Sequence, residues 1–203
     1  MQPAIIFATR NAHKLQEVRA ILAREIPGLQ PELIGSAAHL DLPEPVEDGV
    51  TFEENALIKA HQIADTLGIP AFADDSGLCV KVLGGAPGIF SARWCGHHGD
   101  DPANLELLLN QLADINPEHR QACFACVAAL VVPGASDRVE RGEVHGTLRC
   151  ERSGNSGFGY DPIFQPEGYS ITFAQMQPEQ KNEISHRRRA FMALAPAIAQ
   201  LLA

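Results

Sequence analysis

The sequence predicts an α/β protein in which a mixed, largely covered β-sheet is flanked by helices. Short apolar, β-favouring segments alternate with segments whose apolar residues recur at helical spacing. Residues 122–132 are apolar on both faces of a strand, which is typical of a sheet covered on each side. The length of 203 residues suits one domain, or one domain with a cleft between two lobes. We therefore treat residues 1–203 as a single domain.

The first half of the chain carries the clearest helix signals. A strand is predicted at residues 4–9, and a helix follows from about Asn11, because Asn is a good N-cap and apolar residues recur after it at helical spacing. A second helix opens at Thr51, which forms a capping-box pattern with Glu54, and Gly68 stops it. The segment before this second helix, residues 31–50, is predicted to start as a strand and to become a Pro-rich acidic loop.

The second half of the chain alternates in the same way. Asp101 and Pro102 have the residue types that begin a helix, and Ser185 caps the last one. Pro196 should kink or split that final helix. The remaining predicted elements are strands at 70–74, 78–83, 122–132 and 137–148, and a Gly-rich loop that runs into a short strand at 153–164.

Charge and hydropathy argue against several classes of function. The net charge of -9 argues against non-specific nucleic-acid binding and against binding to an anionic membrane surface. No window approaches eighteen consecutive apolar residues, so no transmembrane helix is expected. The N-terminal segment MQPAIIFATRN lacks the charged region and the cleavage site of a signal peptide. We therefore expect a cytoplasmic protein.

The cysteines favour the same compartment. Five is an odd number, and a chain of this length can bury a core without disulfides, so a disulfide framework is not expected. Cys123 and Cys126 form a CxxC pattern inside an apolar run that is predicted to be a strand. Residues three apart on a strand point to opposite faces, so we predict two buried structural cysteines rather than a redox or metal pair.

The run IPAFADDSGL (69–78) contains the most unusual pair of charges. Asp74 and Asp75 follow an apolar strand directly, and two adjacent carboxylates repel each other unless they are solvated or face a cation. Neighbouring strand residues face opposite ways, so we expect one carboxylate to point into a cleft and the other aside. The inward carboxylate could hold Mg²⁺ or orient a water for attack.

Three further polar clusters lie where predicted strands or helices end. TRNAHK (9–14) is a strand-to-helix turn that would favour an anion, although an ordinary N-cap beside a solvated lysine is the simpler account. EPVEDGVTFEENA (44–56) is acidic, and SGFGYDP (156–162) with KNEISHRRR (181–189) supplies glycines, aromatic rings and cations. Phe158 and Tyr160 could stack on a base. The set suits a Mg²⁺-dependent enzyme that acts on a nucleoside triphosphate without a P-loop.

The segment WCGHHGDD (94–101) raises the alternative of a transition-metal site. Adjacent histidines rarely share one ion, and no second cluster in the sequence has zinc-like spacing. We therefore do not favour a metal site there.

Five motifs in register give the chain a clear resemblance. They are ATRNAHKLQEV, EDGVTFEENALIKA, ADDSGLCVKVLGGAPGIFSARW, GFGYDPIF and QKNEISHRRRA, and together they extend over nearly the whole chain. The sequence resembles the inosine triphosphate pyrophosphatase family, also called XTP/dITP diphosphatases. The resemblance implies a two-lobed α/β fold with a central nucleotide-binding cleft, usually in a homodimer. It also implies Mg²⁺-dependent hydrolysis of ITP, dITP and XTP to the monophosphate and pyrophosphate.

The resemblance also implies a role for individual residues. Asp75 is expected to be the general base and, with Glu47, a metal ligand. Arg187 is expected to read the 6-oxo group that inosine and xanthine carry in place of the amino group of adenine. The residues implied to bind the substrate are Thr9, Arg10, Asn11, Ala12, His13, Lys14, Lys59, Ser76, Phe158, Gly159, Tyr160, Asp161, Lys181, His186 and Arg187.

Two departures and two alternatives remain open at this point. Arg10 stands where many relatives have Gly, and His13 where many have Gly or Lys, so the side-chain contacts of this phosphate loop are uncertain. One alternative function is a Maf-type nucleotide pyrophosphatase that acts on pyrimidine or modified nucleotides. The other is a catalytically silent nucleotide-binding protein, against which the intact Glu47, Asp75 and Lys14 argue.

Overall fold

The computed structural model describes residues 3–202. Met1, Gln2 and Ala203 lie outside them, so the first two residues of the segment considered as a leader are not described. One six-stranded sheet organises the chain, in the order β2-β1-β3-β4-β5-β6. The strands are β1 (Ile5–Phe7), β2 (Ile34–Ser36), β3 (Ala71–Val80), β4 (Gln121–Val131), β5 (Arg138–Leu148) and β6 (Phe164–Pro166). The helices are α1 (Ala12–Glu25), α2 (Phe52–Leu67), α3 (Asp101–Gln111), α4 (Pro178–Ile184) and α5 (His186–Leu202).

The sheet is mixed, as the alternation of elements predicted. Strand β1 runs parallel to both β2 and β3, and β5 runs antiparallel to β6. Strand β4 is buried along nearly its whole length, which fits a central strand covered on both faces. In the described part of the chain, no helix is both long and apolar enough to cross a membrane.

The chain divides into two compact units. Unit 1 contains the described residues up to Asp75, Cys126–Gly142, and the described residues from Arg187 onward; unit 2 contains Ser76–Ala125 and Glu143–His186. The expected cleft between two lobes stays a prediction.

Unit 1 has two apolar clusters because successive strand residues point to opposite faces. Helices α1 and α5 pack on the face that presents Phe7 and Phe72, whose rings stack with centroids 4.8 Å apart. Helix α2 packs on the other face, against Ile6, Ala71 and Ala73. Strand β3 therefore alternates between two helical layers, and this alternation decides where its next residues point.

Unit 2 has one apolar core, built around helix α3, parts of β4 and β5, and the segment from Tyr160 to Met176. Phe124 lies at its centre, and its ring contacts those of Phe164 and Phe173 at centroid distances of 4.8 and 5.9 Å. This core holds the Gly-rich loop that precedes β6 in place.

The predicted helix caps are largely confirmed. The Asn11 side chain accepts hydrogen bonds from the N–H groups of His13 and Lys14, and Thr51 accepts one from Glu54. Gly68 ends α2 with a positive φ of 67°. The prediction for α3 was wrong by one residue, because Asp100 rather than Asp101 accepts from Ala103.

Two other predictions were wrong. Strand β3 does not end at the aspartates but runs through them to Val80, and Lys81–Leu83 is a single 3-10 turn rather than a strand. Pro196 was expected to kink or split the last helix; it does not split it, since α5 continues through this residue. The short helix α4 was not predicted. Where β3 continues through the aspartates, cationic partners from other elements outweigh the local signal of two polar residues.

A pH-dependent contact joins α2 to the loop before β5 in unit 1. Nε2 of His61 lies 3.0 Å from Asp137, and its Nδ1 lies 3.2 Å from Asp65. The hydrogen bond to Asp137 raises the pKa of His61, burial opposes the shift, and Asp65 adds to it. A raised folded-state pKa contributes stability that is complete below the unfolded value of about 6.5 and is lost as pH rises through the folded value.

We therefore expect the free energy of unfolding of the wild type to exceed that of Asp137→Asn more at pH 6 than at pH 8. The difference should change by less than about 1 kcal/mol, because the His61 side chain is 42% exposed and solvent screens the pair. Urea unfolding at a series of pH values measures it. A difference that does not depend on pH would contradict the assignment.

Candidate functional site

The turn between β1 and α1 is built to present backbone donors. Thr9 is nearly buried, and its Oγ1 accepts a hydrogen bond from the N–H of Asn11 at 3.2 Å. Asn11 caps α1, so the positive end of the helix dipole lies at this turn. Lys14, one turn into the helix, adds a full charge. This is the arrangement predicted for TRNAHK, and Ala12 and His13 form the first residues of the helix itself.

Arg10 reaches away from the helix toward the acidic loop. Its guanidinium donates to the carbonyl of Leu42 and lies 3.4 Å from the carboxylate of Glu44. The side chain that departs from the family pattern is therefore engaged with the loop that also carries Glu47.

Asp74 is the centre of a buried charged cluster in unit 1. Its side chain is 2% exposed, and its carboxylate accepts from Lys14 Nζ at 3.4 Å and from Arg187 Nε at 3.3 Å. The guanidinium of Arg187 also bonds Glu17 at 2.8 Å and is itself 4% exposed. Asp74 was expected to face aside from Asp75 and to support either the turn or the residues around the site. In the structure it does face the other way, and it ties α1 to α5 through β3 by its contacts with Lys14 and Arg187.

Asp75 points to the other face of β3, as alternation predicted. Its carboxylate lies 3.4 Å from Lys59 Nζ and accepts a hydrogen bond from Asn55 Nδ2 at 3.3 Å. Lys59 is also 3.4 Å from the carboxylate of Glu47. One ammonium group therefore contacts both predicted metal ligands, so the two carboxylates converge on one place beside α2.

This place suits a hard cation. Oδ1 of Asn55 is buried and has no hydrogen-bond partner, so the side chain that donates to Asp75 also carries an unused oxygen ligand. Gly49 lets the acidic loop approach it, because a Cβ there would lie 2.6 Å from Oδ1 of Asn55. Carboxylate and amide oxygens are the ligands that Mg²⁺ prefers. The residues present therefore fit the expected magnesium ion.

The two aspartates have opposite pKa shifts. Burial acts to raise the pKa of Asp74, but the charges of Lys14 and Arg187 outweigh it and hold that pKa well below its usual range. Burial raises the pKa of Asp75, and Lys59 offsets only part of the effect. For Lys59 burial acts in the other direction and would lower the pKa, but the nearby carboxylates, with Asp75 the strongest, raise it. Asp75 is therefore the more basic carboxylate of the pair.

Unit 2 holds a second group of predicted residues. Asp161 is buried, and its carboxylate accepts from Lys181 Nζ at 2.5 Å and from the N–H of Phe158 at 2.9 Å. Lys181 Nζ also lies 4.6 Å from the ring centroid of Phe158. A Cβ on Gly157, which has a φ of +79°, would lie 2.1 Å from the Asp161 carboxylate, so only glycine fits there.

The two aromatic residues of this loop, both considered for stacking on a base, differ in exposure. The ring of Phe158 is 61% exposed and can stack on a planar ligand. Tyr160 cannot, because its ring is buried in the unit 2 core and its hydroxyl donates to the carbonyl of Ser91. The N–H of Gly159 donates to Asp101 at 2.9 Å, so this aspartate anchors the loop instead of capping α3.

The remaining predicted residues are Ser76, His186 and Arg187, which lie where the chain passes from one unit to the other. Ser76 follows Asp75 on β3 and is half-buried. His186 is nearly buried in unit 2, and its ring stacks on Phe124 with centroids 5.0 Å apart. The base contact expected of Arg187 stays a prediction, since Asp74 and Glu17 are its carboxylate partners in the structure.

Sequence reasoning missed three residues that hold these groups together. Glu17 on α1 pairs with Arg187, Asp101 anchors Gly159, and the Phe173 ring lies 5.6 Å from Lys181 Nζ. Helical spacing places Glu17 three residues after Lys14 on the same face of α1, which was the available signal for the first of them. The contact of Asp101 with Gly159 joins segments 58 residues apart, and the place of Phe173 beside Lys181 depends on how the chain folds between them.

Comparison with known proteins identifies the family. Residues 5–197 match the model of the Ham1 family. The chain belongs to the Ham1 family. A family member of Streptomyces avermitilis named dITP/XTP pyrophosphatase is 58% identical over 198 residues, covering 98% of each chain. A protein of the same name from Streptomyces coelicolor is 59% identical over 198 residues, again covering 98% of each.

Solved Ham1 structures share the fold. The Ham1 protein of Staphylococcus aureus superposes with a TM-score of 0.86 at 38% identity, covering 97% of this chain and 98% of that one. The HAM1 protein of Coxiella burnetii gives 0.87 at 35% identity, covering 98% and 100%. The family membership and the mixed α/β fold predicted from the sequence are both confirmed.

Proposed function

We propose that this protein is a pyrophosphatase that hydrolyses deaminated purine nucleoside triphosphates, namely ITP, dITP and XTP, to the monophosphate and pyrophosphate. The observation that carries the proposal is the convergence of Glu47 and Asp75 on Lys59, with Asn55 donating a hydrogen bond to Asp75. Relatives covering nearly the whole chain are named dITP/XTP pyrophosphatases, which supports the substrate class.

The proposed cofactor is Mg²⁺, held by Glu47 and Asp75. When bound, it would neutralise charge on the phosphates and help to position them. The backbone donors of the turn at Thr9–Asn11, the dipole of α1 and the ammonium of Lys14 would bind phosphate oxygens. Asp74 accepts from Lys14 at 3.4 Å and so restricts where that ammonium can lie.

Asp75 is proposed as the general base. Its carboxylate would take a proton from a water molecule whose oxygen attacks the α-phosphorus, and the bond from that phosphorus to the oxygen bridging to the β-phosphate breaks. Pyrophosphate leaves, and Lys14 and Lys59 stabilise the charge that it carries. Because the chemistry consists mainly of positioning and electrostatics, removing Asp75 should impair turnover more than binding.

The residues of unit 2 are proposed to recognise the base. Phe158 offers an exposed ring for stacking, and Lys181, fixed by Asp161, offers a donor that favours the 6-oxo group of hypoxanthine and xanthine over an amino group. The cation lies over the Phe158 ring, so a base stacked there would be close to a fixed positive charge.

A panel of nucleoside triphosphates tests the proposal. We expect pyrophosphate, and not orthophosphate, to be released from ITP, dITP and XTP with kcat/KM at least about 100-fold above that for ATP. Rates are measured with Mg²⁺ and with Mg²⁺ omitted after chelation. A preference for pyrimidine or modified nucleotides would favour a Maf-type activity, and binding of ITP without release of pyrophosphate would indicate a silent binding protein.

The homodimer and the cytoplasmic location belong to the same proposal. Sedimentation of the purified protein would measure the oligomeric state directly.

A further inference from the structure

Three side chains able to bind a metal lie together on β4 and β5, apart from the residues assigned above. The thiol of Cys123, the carboxylate of Glu143 and the imidazole of His145 each offer one ligand atom, and these atoms lie within 4.8 Å of one another. All three residues belong to unit 2. We propose that this trio is a zinc site, independent of the catalytic magnesium.

Strand alternation puts the trio on one face of the sheet. Ala122, Phe124 and Val144 are buried in the unit 2 core. The members of the trio are their direct neighbours along the two strands, so they point to the opposite side of the sheet. Cys123 was predicted to be buried, and this prediction was wrong: it is only half-buried, whereas Cys126 is fully buried. The side chain of His145 is 62% exposed and that of Glu143 30%, so an ion can reach the trio from solvent.

The register of the two strands brings the ligands together. The N–H of Leu148 donates to the carbonyl of Arg120 at 2.9 Å, which pairs the end of β5 with the start of β4. Strands joined by so short a loop run antiparallel, so counting back from this pair places His145 across from Cys123. Side chains opposite each other have Cβ atoms about 5 Å apart, a separation that one ion can bridge.

The distances are close to those that zinc requires. Nε2 of His145 lies 3.3 Å from Oε2 of Glu143. Two ligands about 2.1 Å from a tetrahedral zinc ion are about 3.4 Å apart, so this pair already has the required spacing. A thiolate ligand lies about 3.6 Å from the other two ligand atoms, so the Cys123 sulfur needs to approach by about 1.2 Å at most from the present limit of 4.8 Å, within reach of a side-chain rotation.

The ligand types select the metal. Thiolate and imidazole bind zinc well and magnesium poorly, whereas the carboxylates of Glu47 and Asp75 suit magnesium. Three protein ligands leave the fourth tetrahedral position to water. A bound ion would connect β4 to β5 and stabilise the folded protein by mass action.

A second group of a cysteine, a histidine and an acidic residue can be compared with the trio on β4 and β5. Sγ of Cys95 lies 3.8 Å from Nδ1 of His97, whose Nε2 is 3.4 Å from Asp100. Asp100 is already used to cap α3, and the three ligand atoms do not meet the mutual spacing that the trio on β4 and β5 shows. These residues therefore serve as matched controls.

Cobalt titration of the full-length protein tests the proposal. The protein is stripped of metal, kept reduced in excess Mg²⁺ and titrated with Co²⁺, since only a thiolate ligand gives the thiolate-to-cobalt charge-transfer band. We expect a band that saturates at one equivalent and disappears on addition of Zn²⁺, which binds more tightly. Cys123→Ser should abolish the band, and His145→Ala and Glu143→Gln should weaken Co²⁺ binding by at least about tenfold.

The control variants Cys95→Ser and His97→Ala should keep the wild-type band and affinity. His145→Ala should also keep wild-type pyrophosphate release with Mg²⁺, so failure of the zinc proposal and failure of the proposed function are distinguishable. Absence of a band in the wild type, survival of the band in Cys123→Ser, or its loss in Cys95→Ser would overturn the zinc site.

Discussion

Asp75→Asn is expected to lower kcat for ITP by at least about 100-fold while KM changes much less. A positioned general base contributes about 10² to 10⁴ in rate, and asparagine cannot take the proton from the attacking water. The variant keeps the size and shape of the side chain, so Asn55 and Lys59 lose a charged partner but not a neighbour. Steady-state kinetics at saturating Mg²⁺, with pyrophosphate detection, measures the effect.

Asp48→Asn is the matched control for this experiment. Asp48 is an exposed carboxylate next to Glu47 on the same loop, and the structure gives it no part in the cluster around Lys59. It should retain wild-type kcat. Near-normal turnover of Asp75→Asn at saturating Mg²⁺ would remove Asp75 from the catalytic role.

Asp74→Asn is expected to destabilise the folded protein by about 3 kcal/mol. Removing one partner of a buried ion pair leaves the other charge without compensation, and Arg187 is 4% exposed. Glu17 still pairs with that guanidinium, which keeps the loss near the lower end of the usual range. Urea unfolding at neutral pH measures the change in the free energy of unfolding.

A double variant makes this prediction sharper. In Asp74→Asn with Arg187→Met, the uncompensated buried cation is gone, so the double variant should be less destabilised than the sum of the two single variants. Glu17→Gln is the control, since its side chain is 20% exposed and its loss should cost about 1 kcal/mol. Strict additivity would show that Asp74 and Arg187 are not coupled.

The local parts of the fold could be predicted from the sequence because local chemistry decides them. Asn11 and Thr51 cap helices through contacts two or three residues away, and the left-handed residue at Gly68 needs no distant partner. Two adjacent aspartates in a glycine-containing segment look like the end of a strand. Only the cations on α1, α2 and α5 make it favourable for β3 to continue through Asp74 and Asp75.

The candidate site, like the fold, could be predicted from the sequence only in part. The structure brings Glu47, Asp75 and Lys59 together, and the resemblance named all three as site residues, while their roles stay predictions. The base-stacking role considered for Tyr160 and the helix-capping role considered for Asp101 are not seen in the structure. A loop sequence does not show which of its side chains will be buried or which distant groups they will contact. Cys123 and His145 were not connected at all, since only the pairing of β4 with β5 brings them together.

The alternation of β3 makes the protein more sensitive to insertions than to substitutions. Phe72 and Asp74 face α1 and α5, whereas Ala73 and Asp75 face α2. One residue inserted after Phe72 would reverse the face to which each aspartate points. Asp74 would then face α2, Asp75 would face α1 and α5, and both would lose their present partners. A length change of two residues would restore the facing but move both aspartates about 6.6 Å along the strand and away from their present partners, so this strand should tolerate neither a one-residue nor a two-residue indel.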